Sequence, residues 1–355
     1  MIYEPKCKID IETASSSRIN EVDFDHLEFG KIFTDHMFEC DYKDGIWQTP
    51  RIKKYEALTI DPSARVFHYG QAVFEGMKAY KDDNDDVWLF RPDENFRRIN
   101  KSAKRLAIPE FPEEYFFEGM KTLLNLDSGW VKKGLGNSLY IRPFIIATEP
   151  AISAAPATEY KFLIICSPAK AYYSGEIRVL IAEKYSRAAD GGTGFAKAAG
   201  NYAAQFYPTS LANNKGYQQI IWTDANSHEY LEEAGTMNVF FRIGDTLITA
   251  PTNDRILDGV TRKSIIQIAE DLGINCEVRP ISVTEIKQAA SEGQLKEIFG
   301  AGTAAVISPI LGFQHADEVY EIGEMESSYG SILKEKLMAI QYNTGDDPHN
   351  WRYKV

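Results

Sequence analysis

The order of apolar and polar positions along the chain predicts a mixture of strands and helices. Short apolar or alternating runs, which are typical of strands, occupy residues 29–38, 52–58, 88–90, 138–146, 162–166, 177–182, 219–223, 239–242, 246–249 and 297–299. Segments that read as helices occupy residues 93–106, 113–126, 201–213, 261–272, 284–290 and 324–341. The pattern predicts an α/β fold of the α+β-like kind.

One segment rich in small residues interrupts this pattern. Residues 149–158 (EPAISAAPAT) contain two prolines and five alanines or serines. Such a composition is typical of a linker, because proline and small residues favour neither helix nor strand. We therefore expect a small N-terminal domain over residues 1–148, an interdomain loop over 149–160 and a larger C-terminal domain over 161–355.

The composition is that of an ordinary globular protein and narrows the class of partner. The chain has 355 residues, of which 44% are hydrophobic and 25% charged, and its formal net charge is -12. This negative charge argues against nucleic acid and against an anionic membrane surface as partners. The N-terminus has no apolar signal core and no apolar run is long enough to span a membrane, so we expect a cytoplasmic protein.

The cysteines and histidines do not follow the spacing of a metal site. Cys7, Cys40, Cys166 and Cys276 form no Cys-x-x-Cys pair, and the six histidines are scattered. This arrangement predicts reduced thiols and no metal ion. No Gly-x-Gly-x-x-Gly motif opens a helix, which disfavours a hydride-transferring enzyme, and no nucleophile elbow of the serine hydrolases is present.

The stretch of residues 191–202 (GGTGFAKAAGNY) surrounds one lysine, Lys197, with small residues. A lysine in a dry site loses its proton more readily, and the neutral amine forms Schiff bases with carbonyl compounds. A phosphate-binding P-loop is excluded, because that motif places glycine before the lysine and Ser or Thr after it. Here Ala196 and Ala198 take those places. On this stretch alone, a solvated lysine in a surface loop is the commoner outcome.

Three separate segments contain the elements of a phosphate site. Residues 259–261 (GVT) open a predicted helix, where backbone N–H groups and the helix dipole favour an anion. Residues 300–303 (GAGT) form a second glycine-rich turn with a hydroxyl group, and Arg98 offers a positive charge. Each of these features alone is more often structural.

A carboxylate completes the constellation. Glu233 is followed by the small and apolar residues 234–237 (AGTM), so its side chain is a candidate for burial, although a Glu–Glu pair is usually a solvated hairpin edge. A buried carboxylate that faces a pyridine nitrogen keeps that nitrogen protonated. A lysine, a carboxylate and a phosphate cradle together describe a site for pyridoxal phosphate.

Seven motifs, in order along nearly the whole chain, resemble those of the branched-chain amino acid aminotransferases, and more closely the branch that includes the eukaryotic enzymes. They are FGKIFTDHM (29–37), FEGMKA (74–79), LFRP (89–92), LYIRP (139–143), KAAGNY (197–202), EAGTMN (233–238) and FGAGTA (299–304). KAAGNY with EAGTMN is specific to the fold type IV pyridoxal phosphate enzymes, and FGKIFTDHM with FEGMKA points to this family within them.

The resemblance implies a fold, an activity and an assembly. It implies a small open α/β sandwich, a larger pseudo-barrel domain that carries the Schiff-base lysine, and a homodimer. The implied reaction is the reversible transamination of L-leucine, L-isoleucine and L-valine with 2-oxoglutarate, through a Schiff base between pyridoxal 5'-phosphate and lysine. The implied partners are small amino acids and 2-oxo acids, not nucleic acid or membrane.

The resemblance also implies a role for individual residues. Lys197 would be the Schiff-base lysine and proton shuttle, Tyr202 would bind the phenolic oxygen of the cofactor, and Glu233 would pair with its pyridine nitrogen. The phosphate would be held by Arg98, Val260, Thr261 and Thr303. The substrate pocket would be lined by Phe29, Tyr69, Phe74, Tyr140, Tyr172 and Thr236, with Arg142 and Ala304 near the substrate carboxylate and Ile152 reaching the pocket of the partner subunit.

This chain departs from the eukaryotic enzymes at one point, and two alternative functions stay open. The eukaryotic enzymes carry a Cys-x-x-Cys pair where this chain has Ala305 and Ser308, so the thiol switch that the pair implies should be absent. Within the same fold, a D-amino acid aminotransferase or an aminodeoxychorismate lyase stays open. In another class, a non-catalytic protein that binds a phosphorylated metabolite stays open.

Overall fold

The structure, a computed structural model, describes residues 5–170, 177–323, 325 and 327–355. The chain divides into two compact units. Unit 1 takes in Met1–Tyr172, Ala196–Gly200 and Ile340–Val355, and unit 2 takes in Tyr173–Phe195 and Asn201–Ala339. Each unit has its own sheet and its own core.

The elements of the described chain follow one another as a mixture of strands and helices. The strands are β1 (Asp10–Ile11), β2 (His36–Lys43), β3 (Ile46–Trp47), β4 (Arg51–Lys54), β5 (Ala72–Phe74), β6 (Met77–Lys81), β7 (Val87–Phe90), β8 (Ser138–Ala147), β9 (Tyr160–Ala169), β10 (Ile177–Ile181), β11 (Gln219–Thr223), β12 (Leu231–Ala234), β13 (Asn238–Ile243), β14 (Thr246–Thr249), β15 (Cys276–Val278), β16 (Leu295–Gly302), β17 (Val306–His315), β18 (Glu318–Glu321) and β19 (Arg352–Lys354). The helices are α1 (Arg65–Tyr69), α2 (Pro92–Arg105), α3 (Glu113–Leu126), α4 (Ala199–Ala203), α5 (Phe206–Asn214), α6 (Val260–Asp271), α7 (Val283–Ser291) and α8 (Tyr329–Gln341).

Unit 1 is built on one mostly antiparallel sheet. Its strand order is β1-β4-β2-β9-β8-β6-β7-β19, with β3 paired to β2 and β5 paired to β8. The central pair, β8 and β9, is antiparallel over its full length, from Ser138 opposite Ala169 to Ala147 opposite Tyr160. Helices α2 and α3 pack on this sheet, against β5 and β2 respectively. Phe38, Phe111 and Phe162 lie fully buried in the core between them.

Unit 2 contains a closed ring of six strands. The ring runs β12-β11-β10-β17-β16-β13 and returns to β12 through the pairing of Glu233 with Asn238. Strands β14 and β15 extend the sheet from β13, and β18 pairs with β17. Such closure leaves the ring strands without a free edge. The mixed fold and this ring confirm the predicted α/β class with a pseudo-barrel.

The limits of the two units differ from the predicted domain limits. Strand β9 lies C-terminal to the predicted interdomain loop, yet it is a strand of the unit 1 sheet, because it pairs along the whole of β8. Residues Ala196–Gly200 and Ile340–Val355 also belong to unit 1. Lys197 is therefore part of unit 1, whereas the prediction placed it in the C-terminal domain.

The predicted strand over residues 29–38 is wrong in its first half. Strand β2 begins only at His36, and the residues before it form a loop. Gly30 has a φ of +71°, in the left-handed region that favours glycine and is incompatible with an extended strand. Of the predicted helix over residues 324–341, the described part begins at Tyr329, and Glu324 and Glu326 lie outside the described residues.

Two further observations concern the described residues as a whole. No helix among them has the length and apolar character needed to cross a membrane. In the same part of the chain, no three His, Cys, Asp or Glu side chains are grouped in a way that could hold a metal ion.

Candidate active site

The backbone of Lys197 is fixed to two elements of unit 1. Its N–H donates to Ser102 Oγ of α2 at 2.9 Å, and its carbonyl accepts from the N–H of Phe74 in β5 at 3.0 Å. A bridge between Ala198 and Val73 continues this pairing. The side chain is half-buried, and Nζ lies 4.7 Å from the centre of the Phe74 ring. The lysine is thus held in a defined place rather than in a mobile surface loop.

A buried ion pair lies within electrostatic range of this lysine. Arg98 donates through Nε to Glu75 Oε1 at 2.7 Å and through Nη2 to Oε2 at 2.8 Å, and Asn95 donates to the same carboxylate at 2.7 Å. Burial alone would raise the pKa of Glu75, but Arg98, with Lys197 and Asn95, outweighs it and holds that pKa below its ordinary value. Arg98, predicted as a phosphate ligand, therefore belongs to a pair whose charges offset each other.

Four of the predicted substrate residues come together in unit 1. The rings of Phe29 and Tyr140 meet edge to face, with their centres 4.9 Å apart. Arg142 donates through Nη2 to the Tyr140 hydroxyl at 3.0 Å. Its guanidinium carbon lies 4.6 Å from the centre of the Phe74 ring. Since Phe74 also contacts Lys197, these residues present an amine, a guanidinium and aromatic walls in one neighbourhood.

Two more predicted residues meet at the loop that follows β8. The hydroxyl of Tyr69, the last residue of α1, donates to the carbonyl of Ile152. Arg65, at the start of α1, donates to Glu149 and to two carbonyl groups of the same loop, so the loop is fixed to unit 1. The Ile152 side chain is 69% exposed. Tyr172, the remaining aromatic residue of the prediction, lies outside the described residues.

The predicted cofactor carboxylate lies in unit 2. Glu233, in β12, is buried, and its Oε1 lies 2.6 Å from Nη2 of Arg187. The same carboxylate accepts from Asn238 Nδ2 at 3.1 Å and from the N–H of Leu257 at 3.2 Å. Because three donors surround it, the carboxylate is oriented in its ionised form.

The neighbouring Glu232 has a different environment. It points to the opposite face of β12, because side chains alternate along a strand. It is also buried and pairs with Arg255. Burial raises the pKa of Glu232 above its ordinary value despite that pair. The two adjacent carboxylates therefore have separate cationic partners.

The start of α6 lies beside the Glu233 group. Val260 and Thr261 are its first two residues. Gly259 is the N-cap residue, and no side-chain hydrogen bond caps this end of the helix. The first N–H groups of a helix have no partner inside the helix and attract anions. A Cβ at position 259 would come within 2.0 Å of Asn238 Oδ1, so a larger residue there would displace the Asn238 side chain. Asn238 thus contacts both the carboxylate and the helix start.

Four other predicted residues of unit 2 lie in turns or in a short helix. Strands β13 and β16 are antiparallel, with Asn238 opposite Ala301. The turn before β13 and the turn after β16 therefore lie at the same end of this strand pair. The first turn contains Thr236, and the second contains Thr303 and Ala304. Tyr202 lies half-buried in α4, five residues after Lys197 in the chain.

Three residues of this site, Glu75, Arg187 and Asn238, were not predicted from the sequence. Glu75 and Asn238 stand inside the motifs FEGMKA and EAGTMN, and an acid or amide within such small and apolar residues was the available signal. Arg187 had no comparable signal, because only the folded chain shows that it pairs with Glu233.

Comparison with known proteins places the chain in a family. The sequence model of the class IV aminotransferases (Amino-transferase class IV) matches residues 72–313. The branched-chain-amino-acid transaminase 1 of Bacillus subtilis is 43% identical over 335 residues, which cover 93% of this chain and 94% of that protein. The branched-chain-amino-acid aminotransferase of Mycolicibacterium smegmatis is 42% identical over 337 residues, 92% of each protein.

A solved structure supports the same assignment. The crystal structure of a branched-chain aminotransferase from Thermoproteus uzoniensis with norvaline matches with a TM-score of 0.72 and 25% identity, covering 89% of this chain and 98% of that one. Family match, relatives and fold agree with the motifs found in the sequence. The chain belongs to the class IV aminotransferases and, among them, to the branched-chain-amino-acid aminotransferases.

Proposed function

We propose that this aminotransferase moves the amino group of L-leucine, L-isoleucine and L-valine to 2-oxoglutarate, with pyridoxal 5'-phosphate as cofactor. The observation that carries the proposal is the group in unit 1 formed by Lys197, Phe74, Tyr140 and Arg142. It combines a reactive amine with a carboxylate-binding guanidinium and apolar walls. Relatives with 42–43% identity that are named for branched-chain amino acids support the choice of substrate.

The residues present fit pyridoxal phosphate. Glu233 is a buried, fully oriented carboxylate of the kind that pairs with a protonated pyridine nitrogen. The start of α6, without a side-chain cap, offers backbone donors to a phosphate through Val260 and Thr261. When bound, the cofactor would supply an electron sink for the electrons left at the substrate Cα.

Lys197 would act twice. Its Nζ would hold the cofactor covalently, and after the substrate amine has displaced it, the freed Nζ would accept the Cα proton and later return it. Backbone hydrogen bonds to Ser102 and Phe74 keep the lysine in place during both roles. The centre of the Phe74 ring, 4.7 Å from Nζ, lies over one side of the amine.

Glu233 would keep a proton on the pyridine nitrogen. A carboxylate does so only while it is ionised, and the buried Arg187 at 2.6 Å favours that state. Tyr202 would donate to the phenolic oxygen. Thr303, in the turn after β16, would add donors at the phosphate, and the Arg98–Glu75 pair would add guanidinium donors with little net charge.

The pocket would separate substrates by their side chains. Apolar side chains gain roughly 25 cal/mol per Å² that they bury against Phe29, Phe74 and Tyr140. Arg142 and the Ala304 amide would bind the substrate α-carboxylate. For glutamate, the Tyr140 hydroxyl and Arg142 would serve the second carboxylate. A lysine substrate would bury an unpaired ammonium, which is costly.

We also infer from the family resemblance that two copies form a homodimer. A 69% exposed isoleucine, Ile152, on a loop fixed by Arg65 supports this inference, because it offers an apolar side chain to a partner. Sedimentation at micromolar concentration tests it. A mass of twice 40.1 kDa is expected, and a monomer with full activity would contradict it.

The experiment that tests the proposed function is a substrate panel with 2-oxoglutarate as acceptor. The panel contains L-leucine, L-isoleucine, L-valine, L-aspartate, L-lysine and D-alanine, and the measurement is glutamate formation. We expect kcat/KM for leucine at least ~100-fold above that for aspartate, and modest differences among the branched substrates, since one methylene is worth only about 1–3 kcal/mol. A preference for aspartate or D-alanine would contradict the branched-chain assignment.

A further inference from the structure

Asp35 and His36, two adjacent ionisable residues of the motif FGKIFTDHM, have no role in the proposed function. Both are 7% exposed. They stand where the N-terminal segment joins β2, which begins at His36. Buried polar side chains at such a junction require partners, and these partners lie on the preceding segment of the chain and just after α3.

Asp35 closes the base of a loop. Its carboxylate accepts from the Ser17 hydroxyl at 2.5 Å, from the Arg18 N–H at 2.9 Å and from Trp130 Nε1 at 2.8 Å. Burial alone would raise the pKa of Asp35, but these hydrogen bonds outweigh it and lower that pKa, so the group is ionised. Arg18 in turn donates to the carbonyls of Phe33 and Thr34. The two ends of the intervening segment, residues 18–34, are therefore joined.

His36 fixes the chain just before this loop. Its Nε2 lies 2.9 Å from the N–H of Ala14. A backbone N–H can only donate, so Nε2 is the acceptor and the ring hydrogen is on Nδ1. Nδ1 then donates to Asp127 Oδ1 at 2.7 Å. Asp127 and Trp130 both follow α3, so the two polar residues link the N-terminal segment to the end of that helix.

The closed loop carries a residue of the substrate group. Phe29 lies within residues 18–34, immediately before Gly30, and its ring meets Tyr140 at 4.9 Å. Within the same loop, Phe24 packs on Trp130 with ring centres 6.1 Å apart. Trp130 thus contacts both the closing carboxylate and the loop that it closes. Phe29 is thus carried on the loop whose base these hydrogen bonds close.

We propose that Asp35 and His36 are positioning residues for substrate specificity: Asp35 closes the loop of residues 18–34 and His36 fixes the chain before it, and together they hold Phe29 against Tyr140 as a wall for long apolar side chains. The inference rests on the proposed function, in which Phe29 lines the substrate pocket. Opening the loop removes this wall without touching Lys197 or Glu233. Substrates with long side chains lose binding, whereas short ones keep it.

The test uses the holoenzyme of the full chain. It changes Ser17 and Arg18, the exposed residues that contact Asp35, and leaves the buried core intact. The variant Ser17→Ala/Arg18→Met removes the hydroxyl and guanidinium donors, and Asp35→Asn is a second variant from the buried side. The control, Ser16→Ala/Lys8→Met, likewise removes one serine hydroxyl and one positive charge, at exposed residues outside the contact. We expect kcat/KM for leucine to fall roughly tenfold in both loop variants, and that for L-2-aminobutyrate, which is shorter, to stay within twofold.

A readout independent of activity is cleavage of the exposed bond after Glu28 by endoproteinase Glu-C. Faster cleavage is expected in the loop variants than in the control, because the loop opens. In a Phe29→Ala background, the loop variants should cause no further loss of kcat/KM for leucine, because both changes remove the same wall of the pocket.

The outcomes separate this inference from the proposed function. If Phe29→Ala leaves the ratio of leucine to aminobutyrate unchanged, the pocket assignment and the inference both fail. If Phe29→Ala lowers that ratio but the loop variants do not, only the inference fails. Equal losses for both substrates, unchanged cleavage after Glu28, or full additivity with Phe29→Ala would each overturn it as well.

Discussion

Arg187 and Glu233 form a buried ion pair, with 2.6 Å between Nη2 and Oε1 and side-chain exposures of 5% and 7%. Removing one partner of such a pair leaves an uncompensated charge, so the arrangement favours the ionised carboxylate strongly. Asn238 and the Leu257 N–H add two further donors and fix its direction. A carboxylate held in this way suits a permanent electrostatic role more than proton transfer.

Glu233→Ala should therefore reduce catalysis more than folding. If Glu233 pairs with the pyridine nitrogen as proposed, removing the carboxylate would let that nitrogen lose its proton and would weaken the electron sink. We expect kcat to fall at least ~100-fold, or about 2.7 kcal/mol of barrier. Glu232→Ala is the matched control, because Glu232 is buried on the opposite face of β12 with Arg255 as partner. A larger loss for Glu232→Ala than for Glu233→Ala would contradict the assignment.

Oxidants should leave the activity largely intact. No cysteine pair stands where the chain has Ala305 and Ser308. Burial raises the pKa of Cys40 to about 12 and that of Cys166 well above its ordinary value, so neither forms the reactive thiolate near neutral pH. The measurement is activity after mild peroxide, before and after dithiothreitol. A large loss that dithiothreitol restores would show a thiol that controls the site.

Asp224 should make folding sensitive to acid. Burial alone would raise its pKa, but hydrogen bonds from Tyr230, Ser227 and Glu229 outweigh it and lower the pKa from 3.8 to about 2. A lowered folded-state pKa stabilises the fold above the unfolded pKa, and this contribution, about 2 kcal/mol, disappears as the pH falls from about 4 to 2. The free energy of unfolding of Asp224→Asn should therefore depend less on pH over this range than that of the parent. Identical slopes would contradict the prediction.

Local features of the fold could be predicted from the sequence, but the contacts between residues distant in the sequence could not. The periodic segment of α3 matches its predicted limits of 113–126, because its pattern is local. The run of residues 29–38 reads as a strand by its aromatic residues, yet Gly30 and the hydrogen bonds of Asp35 turn its first half into a loop. Those bonds join residues that are distant from the run, so no local pattern contains them.

The same distinction holds for the candidate site. Lys197 and Glu233 were recognisable from motifs of small residues around one charged side chain. The pairing of Arg98 with Glu75 and of Arg187 with Glu233 was not, because a cation in the sequence carries no sign of which carboxylate it will meet. The unit limits differ for a related reason: β9 follows the linker in sequence but pairs with β8 in the sheet.

A Lys197→Ala variant should fold and show no transamination, because one side chain supplies both the nucleophile and the proton carrier. Its circular dichroism and melting temperature should match those of the parent within a few degrees. Lys184→Ala, at an exposed lysine of unit 2, is the control and should keep full turnover. Lys197→Ala turnover within tenfold of the parent would exclude the lysine from the chemistry.

The most direct test of the central claim is peptide mass spectrometry of the holoenzyme after borohydride reduction. Reduction makes the bond between cofactor and lysine permanent, so the labelled residue is identified by its mass. We predict a phosphopyridoxyl group on Lys197, and its loss when the enzyme is incubated with L-leucine before reduction. A label on another lysine, or a label on Lys197 that L-aspartate removes and L-leucine does not, would contradict the account.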